Sequence, residues 1–318
     1  MSTSRNQNNI NVGVDTGKSQ LDIYIRPLDI YFTVTNNDDG ISQAIKEIKK
    51  HNPARIIIEA TGRLEFGFIS ACSRAGLPFV VANPAHVRKF TGALGQLAKT
   101  DKMDAKSIAH YGEAIKPSLS TLKPAVMRSM SDLLARRAQL LTMQTMEKNR
   151  LQIMPKSLQS SIKPLLRVIR NQIEKINLKL QKLIESCDEY KTKNEILQSM
   201  PGVGNMLAIS LLSNMPELGY ISNKEAVALV GVAPINRDSG IYNGHRKVRG
   251  GRHQIRTVMY MAMLSGIQCN PVFKATYKRL VAAGKPKKIA IVACIRKMIV
   301  ILNSMVRDGV HWNPEIAK

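Results

Sequence analysis

The sequence predicts an α/β domain at the N-terminus, then a long helical hairpin, then a mostly helical and strongly basic C-terminal domain. Three observations predict this order. Apolar stretches with the patterns of β-strands are confined to residues 9–116, a heptad-spaced apolar pattern follows within residues 125–188, and most of the basic charge lies toward the C-terminus. A chain of 318 residues is also long for a single hydrophobic core. The expected boundaries are 9–118, 119–194 and 195–318.

The N-terminal elements are expected in the order β-β-β-α-β-α-β-α. Alternating or continuous apolar stretches predict five strands, and the stretches between them predict three helices. The strands are expected at Asn11–Val14, Gln20–Arg26, Ile30–Thr35, Ile56–Ile58 and Phe79–Ala82, the last ending at Asn83-Pro84; the helices are expected from Gly40, over Leu64–Ala75, and from near Asp101 to Ile115. Three successive strands followed by alternating helices and strands is the order of a ribonuclease-H-like domain.

The middle of the chain predicts two long helices, Ala125–Met154 and Ser161–Glu185, with breaks around Pro155 and Pro164. Apolar residues in the second helix are spaced alternately by four and three, which is typical of a coiled-coil seam. The seam comprises Ile162, Leu166, Ile169, Ile173, Ile176, Leu180 and Leu183. Such a coiled-coil hairpin either folds on itself or packs against a partner subunit, and the pattern favours neither outcome.

Two segments of the C-terminal domain have features of nucleic-acid contacts. Pro201-Gly202-Val203-Gly204 precedes a predicted helix over Met206–Ser213, and a tight glycine turn at a helix start presents free N–H groups to phosphate. We interpret it as a helix-hairpin-helix-like element. Asn236–His253 reads as a glycine-rich basic loop, whose candidate nucleic-acid ligands are Arg237, Arg246, Lys247, Arg249 and Arg252. The alternative is a solvated surface loop.

The charge of the chain indicates a polyanionic partner. Lys and Arg number 47 against 23 Asp and Glu, which gives a net charge of +24. Residues 1–110 contain 14 basic and 10 acidic side chains, whereas residues 111–318 contain 33 and 13. Because binding to phosphates releases counterions, nucleic acid is the expected partner, and a merely basic protein is the alternative. The asymmetry suggests a catalytic N-terminal part and a nucleic-acid-binding C-terminal part.

The cysteines and the apolar runs indicate a reducing compartment. None of the four cysteines, Cys72, Cys187, Cys269 and Cys294, forms a Cys-x-x-Cys pair, so neither a zinc site nor a disulfide framework is expected. The polar N-terminal residues do not resemble a signal peptide, and the longest apolar run, Ile289–Ile295, is too short to span a bilayer. We therefore expect a cytoplasmic protein with no membrane partner.

Four carboxylates occupy positions where α/β domains place functional groups. Asp15 and Glu59 follow predicted strands, and Asp101 and Asp104 lie three residues apart at a predicted helix start. If the four converge, their mutual repulsion favours a divalent cation, and hard oxygen ligands suit Mg²⁺ or Mn²⁺. Metal-assisted phosphodiester chemistry is then expected. In the alternative, the two helical acids only cap their helix.

A set of short motifs extends over nearly the whole chain. In the N-terminal half they are Gly13-x-Asp15-x-x-Lys18, Glu59-Ala60-Thr61-Gly62, Asn83-Pro84 and Lys99-Thr100-Asp101-x-x-Asp104-Ala105; in the C-terminal half they are Pro201–Gly204, Val230–Pro234, Ser239-Gly240 and Gly284-Lys285…Arg296-Lys297. In their order and spacing, the sequence resembles the DEDD transposases of the insertion-sequence family one-hundred-and-ten and the Piv-type DNA invertases.

The resemblance implies a RuvC-like N-terminal domain in which Asp15, Glu59, Asp101 and Asp104 bind Mg²⁺. It implies that Ser239 attacks the scissile phosphate and becomes covalently linked to DNA. It further implies a coiled-coil linker, a structured noncoding guide RNA that pairs with donor and target DNA, and homo-oligomers, up to tetramers, with active sites shared between protomers. Nucleic-acid contacts are expected in the basic loop and also at Gly202, Gly204, Lys285, Lys287 and Lys288. The compartment would be the bacterial cytoplasm, at the nucleoid.

Three alternatives remain at this point. A Piv-type invertase shares every motif quoted above. A hydrolytic RuvC-like junction nuclease uses the same carboxylates without a serine, and a non-enzymatic nucleic-acid-binding protein uses neither. Composition does not single out Ser239, because Ser210, Ser213, Ser222 and Ser265 are also eligible; that assignment rests on the resemblance.

Overall fold

The computed structural model describes residues 9–95, 100–236, 238–239, 242–244 and 246–317. The chain divides into two compact units, residues 1–123 and 124–318. The division lies close to the boundary expected near residue 118. The hairpin and the C-terminal helices, which were expected as separate segments, belong to the same compact unit.

The described part of the first unit contains five strands and four helices. They are β1 (Asn11–Thr16), β2 (Gln20–Arg26), β3 (Ile30–Thr35), α1 (Asp38–Lys50), β4 (Arg55–Glu59), α2 (Phe66–Arg74), β5 (Phe79–Ala82), α3 (Pro84–Ala93) and α4 (Asp101–Ile115). The predicted strands and helices are present, and α3 is an addition. Asn83, interpreted above as a strand end, is the N-cap of α3, since its side chain accepts a hydrogen bond from the Ala85 N–H at 2.9 Å and Pro84 begins the helix.

The strands form one sheet in the order β3-β2-β1-β4-β5. The first three strands pair antiparallel, whereas β4 pairs parallel with β1 and β5 pairs parallel with β4. An antiparallel meander extended by parallel strands through β-α connections is the ribonuclease-H-like, RuvC-like arrangement. The predicted N-terminal fold is therefore confirmed.

Helices cover both faces of the sheet. One face buries side chains such as Val14 and Ile58 against Ile48 of α1 and Phe68 of α2. On the other face α4 crosses β1 so closely that a Cβ on Gly13 would lie 2.1 Å from the Ala105 carbonyl oxygen. Glycine at position 13 therefore permits direct backbone packing, and this packing fixes where α4 begins relative to β1.

The second unit is mostly helical. Its helices are α5 (Ala125–Ile153), α6 (Lys156–Glu185), α7 (Asp188–Gln198), α8 (Asn205–Asn214), α9 (Asn223–Val230), α10 (His253–Cys269), α11 (Pro271–Ala282) and α12 (Lys287–Asp308). Four two-residue strands, β6 (Pro234–Ile235), β7 (Asp238–Ser239), β8 (Tyr242–Asn243) and β9 (Lys247–Val248), pair antiparallel as β6–β9 and β7–β8. The segment predicted as a loop thus contains two short β-ribbons.

Helices α5 and α6 form a hairpin within one chain, joined in part by the Arg137 Nε–H, which donates to Asn177 Oδ1 at 2.7 Å. The first six predicted seam residues of α6 are buried, but Ile184 is buried in place of Leu183, which is only partly covered. The predicted break at Pro164 is wrong. Because Ile162 and Leu166 on either side of it are both buried, packing outweighs the one hydrogen bond that proline removes.

The hairpin shares one hydrophobic core with the other helices of the second unit. Leu140 of α5 and Ile173 of α6 belong to the same cluster as Leu207 of α8 and Leu302 of α12. Among the described residues, α12 is the one helix long and apolar enough to cross a membrane by length and composition. Much of its surface is buried in this cluster, which accounts for its apolar character.

Candidate active site

Two of the four predicted carboxylates lie at the carboxyl edge of the sheet. Strands β1 and β4 are parallel, with Val14 opposite Ile58. The next residues along, Asp15 and Glu59, therefore point to the opposite face of the sheet from that pair, which is the face that α4 covers. Both are partly buried.

The other two carboxylates reach this edge from the first turn of α4. Its N-cap is Thr100, whose hydroxyl accepts a hydrogen bond from the Met103 N–H at 3.3 Å. The close approach of α4 to Gly13 directs this first turn toward the end of β1. Asp101 is exposed and Asp104 is partly buried. Both positions also suit the positive end of the helix dipole.

The pKa of Asp15 reflects both its burial and the neighbouring acids. Burial raises the pKa of the Asp15 carboxyl, and the negative charges of Asp104, Asp101 and Asp22 raise it further. Three of the four predicted acids therefore interact at the edge of the sheet. A divalent cation would remove their repulsion, and carboxylate oxygens are the donors that Mg²⁺ and Mn²⁺ prefer.

The donor chemistry of this edge therefore fits a hard divalent ion. In the part of the chain that the structure describes, however, no three His, Cys, Asp or Glu side chains already form a metal-ligand group. Asp15 and Glu59 lie at one edge of the sheet, and Asp101 and Asp104 lie in the first turn of the helix that covers the same face.

Sequence reasoning missed one acid of this edge, Asp22 in β2. It lies directly opposite Asp15 in the antiparallel register and is 4% exposed. Its carboxylate accepts hydrogen bonds from the Tyr31 hydroxyl at 2.7 Å and from Gln20 Nε2 at 3.0 Å. The available signal was the alternation of β2, where Leu21 and Ile23 occupy one face and leave Asp22 on the other.

Hydrogen bonds hold the loop after β4 beside the same edge. The hydroxyls of Thr16 and Thr61 are hydrogen-bonded, which ties this loop to the end of β1. Glu65 Oε2 accepts from the backbone N–H groups of Thr61 at 3.2 Å and Arg63 at 2.9 Å. The Glu59-Ala60-Thr61-Gly62 motif therefore forms an ordered turn next to Asp15.

The predicted nucleophile lies in a short ribbon of the second unit. Ser239 of β7 pairs with Tyr242 of β8, and the serine is exposed. Its neighbours Arg237 and Gly240 lie outside the described residues. The serine is thus available at the surface, in a ribbon rather than an extended loop.

The other serines differ in their availability. Ser210 Oγ donates to the Met206 carbonyl at 2.7 Å, and Ser213 Oγ donates to Ser131 Oγ at 3.2 Å; both are buried. Ser222 forms a capping box with Glu225 at the start of α9. Ser265 of α10 is exposed. Three of the four alternatives therefore have structural roles.

The predicted nucleic-acid ligands divide into two groups. Exposed positions are Gly204, which is the N-cap of α8, Arg246, Lys247 and Arg249 around β9, and Lys285, Lys287 and Lys288 at the start of α12. Gly202 has φ of 98° and packs against Gly266 of α10, so its conformation and close packing account for glycine there.

Arg252 makes an internal ion pair rather than presenting a free guanidinium. It contacts both carboxylate oxygens of Glu217, at 2.6 and 2.7 Å, and the Asn214 carbonyl at 2.8 Å. These bonds connect the end of α8 and the following segment to the N-cap of α10. Arg252 is therefore an anchor of the second unit, in contrast to its exposed neighbours.

Comparison with known proteins gives matches along most of the chain. A sequence model described as a transposase, of the DEDD IS110 type, matches residues 12–156, and one described as the transposase IS116/IS110/IS902 family matches residues 194–278. The chain is similar to RuvC of Thermus thermophilus in complex with a Holliday junction substrate, at 15% identity and a TM-score of 0.27, over 36% of this chain and 99% of that one.

Curated relatives match either the full chain or part of it. The pilin gene-inverting protein of Moraxella bovis is 26% identical over 319 residues, which cover 96% of this chain and 98% of that protein. The insertion element IS110 43.6 kDa protein of Streptomyces coelicolor is 28% identical over 135 residues, which cover 42% of this chain and 33% of that protein. With its two transposase regions in succession, the chain belongs to the family of IS110-type DEDD transposases, enzymes that act on DNA.

Proposed function

We propose that this protein is a DNA transposase that cuts and rejoins strands through a metal-assisted phosphoserine intermediate. The observation that carries this proposal is the position of Asp15 at the end of β1 beside the first turn of α4, where burial, and after it the charges of Asp104 and Asp101, raise the pKa of Asp15. Family membership supports DNA as the substrate. The exposed Ser239 supports a protein nucleophile.

The carboxylates hold the metal in this proposal. Asp15, Glu59, Asp101 and Asp104 provide oxygen ligands for Mg²⁺ or Mn²⁺, and a bound ion supplies Lewis-acid polarisation of the scissile phosphate. The ordered turn around Thr61 and the packing of α4 at Gly13 keep the carboxylates at the edge.

Ser239 performs the covalent step. Its Oγ forms a bond to the scissile phosphorus while the bond from phosphorus to the leaving strand oxygen breaks. The serine loses its proton, and the leaving oxygen gains one to become a strand hydroxyl. Attack by a strand hydroxyl on the phosphoserine reverses these changes, so rejoining requires no added nucleotide. A serine hydroxyl is a weak nucleophile until it is activated, which is why the serine needs the metal site.

The basic surface binds nucleic acid. Lys285, Lys287 and Lys288 lie at the start of α12, where the helix dipole is already positive and no acidic residue occupies the first turn. Their charges are unfavourable there unless an anion compensates them, which supports a phosphate contact. The resemblance adds a structured noncoding guide RNA, and a DNA-acting enzyme of this kind is expected at the bacterial nucleoid.

The hairpin supports a homo-oligomer. Although α5 and α6 pack on each other within one chain, they and the turn between them still expose many large apolar side chains. These are Leu141, Met143, Met146, Ile153, Met154, Leu158, Leu165, Val168 and Leu178. A second copy of the chain would cover such surface, and we propose a dimer or tetramer in which Ser239 of one protomer serves the acids of another.

Site-specific inversion is the second candidate function. It is favoured by the similarity to the pilin gene-inverting protein, which matches 96% of this chain. A plasmid that carries the DNA flanking the gene distinguishes the two. Transposition inserts a segment at a new site, whereas inversion reverses a segment between paired sites. Sequencing the RNA that purifies with the protein tests the guide; transposition without any bound RNA would contradict it.

Trapping on a nicked suicide substrate tests the covalent mechanism. We expect DNA attached to the protein, and peptide mapping should locate the attachment at Ser239. Ser239→Ala should abolish cleavage, while Ser265→Ala, which changes an exposed serine of α10, should retain it. Cleavage by water with no adduct, unaffected by Ser239→Ala, would instead establish a hydrolytic junction nuclease.

A further inference from the structure

Strand β2 contains a buried acid to which the proposed mechanism gives no role. Asp22 lies between the core residues Leu21 and Ile23 and is 4% exposed. Across the antiparallel pair its direct neighbour is Asp15, and directly opposed residues point to the same face of a sheet. A buried carboxylate opposite a second carboxylate is unfavourable unless a cation or hydrogen bonds compensate it.

Hydrogen bonds hold Asp22 in a fixed position. The Tyr31 hydroxyl donates to Oδ1 at 2.7 Å, and Gln20 Nε2 lies 3.0 Å from each carboxylate oxygen. The hydrogen bond to Asp22 raises the pKa of Tyr31 to about 12, so the tyrosine remains a donor at neutral pH. Both contacts fix the orientation of the Asp22 carboxylate.

The surroundings of Asp22 connect it to the first turn of α4. The Lys102 ammonium lies 5.2 Å from the centre of the Tyr31 ring, and the charge of Asp101 also acts on Tyr31. The charge of Asp22 acts in turn on Asp15. Asp22 is therefore adjacent to the candidate metal ligands on two sides, through β1 and through Tyr31.

We propose that Asp22 is a positioning residue of the metal centre: its carboxylate, fixed by Tyr31 and Gln20, supplies negative charge beside Asp15 and so strengthens the binding of a divalent cation. It is not one of the four ligands. Outer-shell partners commonly change metal affinity by roughly 10- to 100-fold. The inference rests on the proposed metal site and adds to it a fifth acid.

Binding of Mn²⁺ to the full chain, followed by electron paramagnetic resonance, tests this role without relying on activity. Asp22→Asn should weaken Mn²⁺ binding by about tenfold. Tyr31→Phe removes the hydroxyl but keeps Asp22, so it should weaken binding in the same direction by less. The matched control is Asp29→Asn, which changes an acid of the same hairpin that bonds to Tyr24 instead; its affinity should equal that of the unmodified chain.

The outcomes separate this inference from the proposed function. If the unmodified chain binds Mn²⁺ and Asp15→Asn does not, the metal site exists, and unchanged affinity in a folded Asp22→Asn variant overturns the role of Asp22 alone. If the unmodified chain binds no Mn²⁺, the proposed metal site and the role of Asp22 fail together. Should Asp22→Asn not fold, Tyr31→Phe decides: unchanged affinity there overturns the proposal.

Discussion

The carboxylate of Asp15 shows how the fold sets the chemistry of a single side chain. Its pKa is raised by burial first and by three neighbouring acids after that. A carboxyl whose pKa is higher in the folded than in the unfolded state stabilises the protein only while it is protonated. That contribution is lost as pH rises above the unfolded-state pKa, because the folded state must then give up a proton that it retains more strongly. At neutral pH, Asp15 therefore destabilises the protein when no cation is bound.

Asp15→Asn should consequently raise the melting temperature of the protein in EDTA at neutral pH. The same variant should lose the stabilisation that added Mg²⁺ provides, because a ligand bound only by the folded state raises stability. Thermal unfolding with and without Mg²⁺ measures both effects. A variant that melts lower in EDTA and still responds to Mg²⁺ would contradict this account of the site.

Among the elements, the contact between β1 and α4 matters most for the site. A Cβ at Gly13 would lie 2.1 Å from the Ala105 oxygen and 2.4 Å from the Ala109 nitrogen, both of which are backbone atoms. Neither can move without shifting the helix. The distance between Asp15 on the strand and the acids of α4 therefore depends on the absence of one methyl group.

Gly13→Ala should destabilise the first unit by about 3 kcal/mol, the upper range for overpacking, and should weaken Mg²⁺ binding as α4 is displaced. Gly92→Ala is the matched control, because Gly92 is in α3 and a Cβ there meets open space. Urea unfolding of both variants gives the comparison. Equal stability of the two would show that α4 does not depend on this contact.

In the second unit, the buried side chain of Asn303 connects α12 to the turn that leads into α9. Its Oδ1 accepts from the Gly219 N–H at 2.8 Å, and its Nδ2 donates at 2.9 Å to both the Ile221 carbonyl and Asn223 Oδ1. A polar residue inside an apolar helix thus provides hydrogen-bond partners for polar groups of the turn that leads into α9.

Asn303→Leu should lower the free energy of unfolding by about 3 kcal/mol, because it leaves buried polar groups without partners. Chemical denaturation measures the change, with Asn171→Leu on the exposed surface of α6 as the control. A loss no larger than that of the control would mean that the turn finds other partners.

At the scale of the whole molecule, the uneven charge is the dominant property. Of the 47 basic side chains, 33 lie in residues 111–318. The lysines at the start of α12 and the bases around β9 are exposed, whereas Arg252 pairs with Glu217. Some basic residues of this unit are therefore exposed to solvent, whereas Arg252 forms an ion pair within the unit.

Nucleic-acid binding by the full chain should fall by roughly 10³-fold between about 50 and 200 mM salt, if about six phosphates are contacted. Replacement of Lys285, Lys287 and Lys288 by alanine should make the slope of log affinity against log salt concentration less steep, by about one for each lysine that contacts a phosphate. Filter binding over a salt series measures both. Affinity that is independent of salt would show that the excess charge is not an interface.

The sequence by itself determined the local features of this protein. Strand positions follow from alternating or continuous apolar residues, and a helix was expected from near Asp101 to Ile115, because such patterns depend on neighbours along the chain. The sequence also predicted that Asp15 and Glu59 lie at the ends of strands. The choice of Ser239 depended on the resemblance, since its residue type and local pattern match those of several other serines.

Only the tertiary structure decided which distant groups meet. Asp22 became part of the acidic edge through the register of β1 and β2, and Arg252 became an anchor through Glu217. The helix continues through Pro164 because burial on both sides exceeds a local preference. In each case the deciding energy arises between segments far apart or packed across a core, and such terms leave no periodic trace in the sequence.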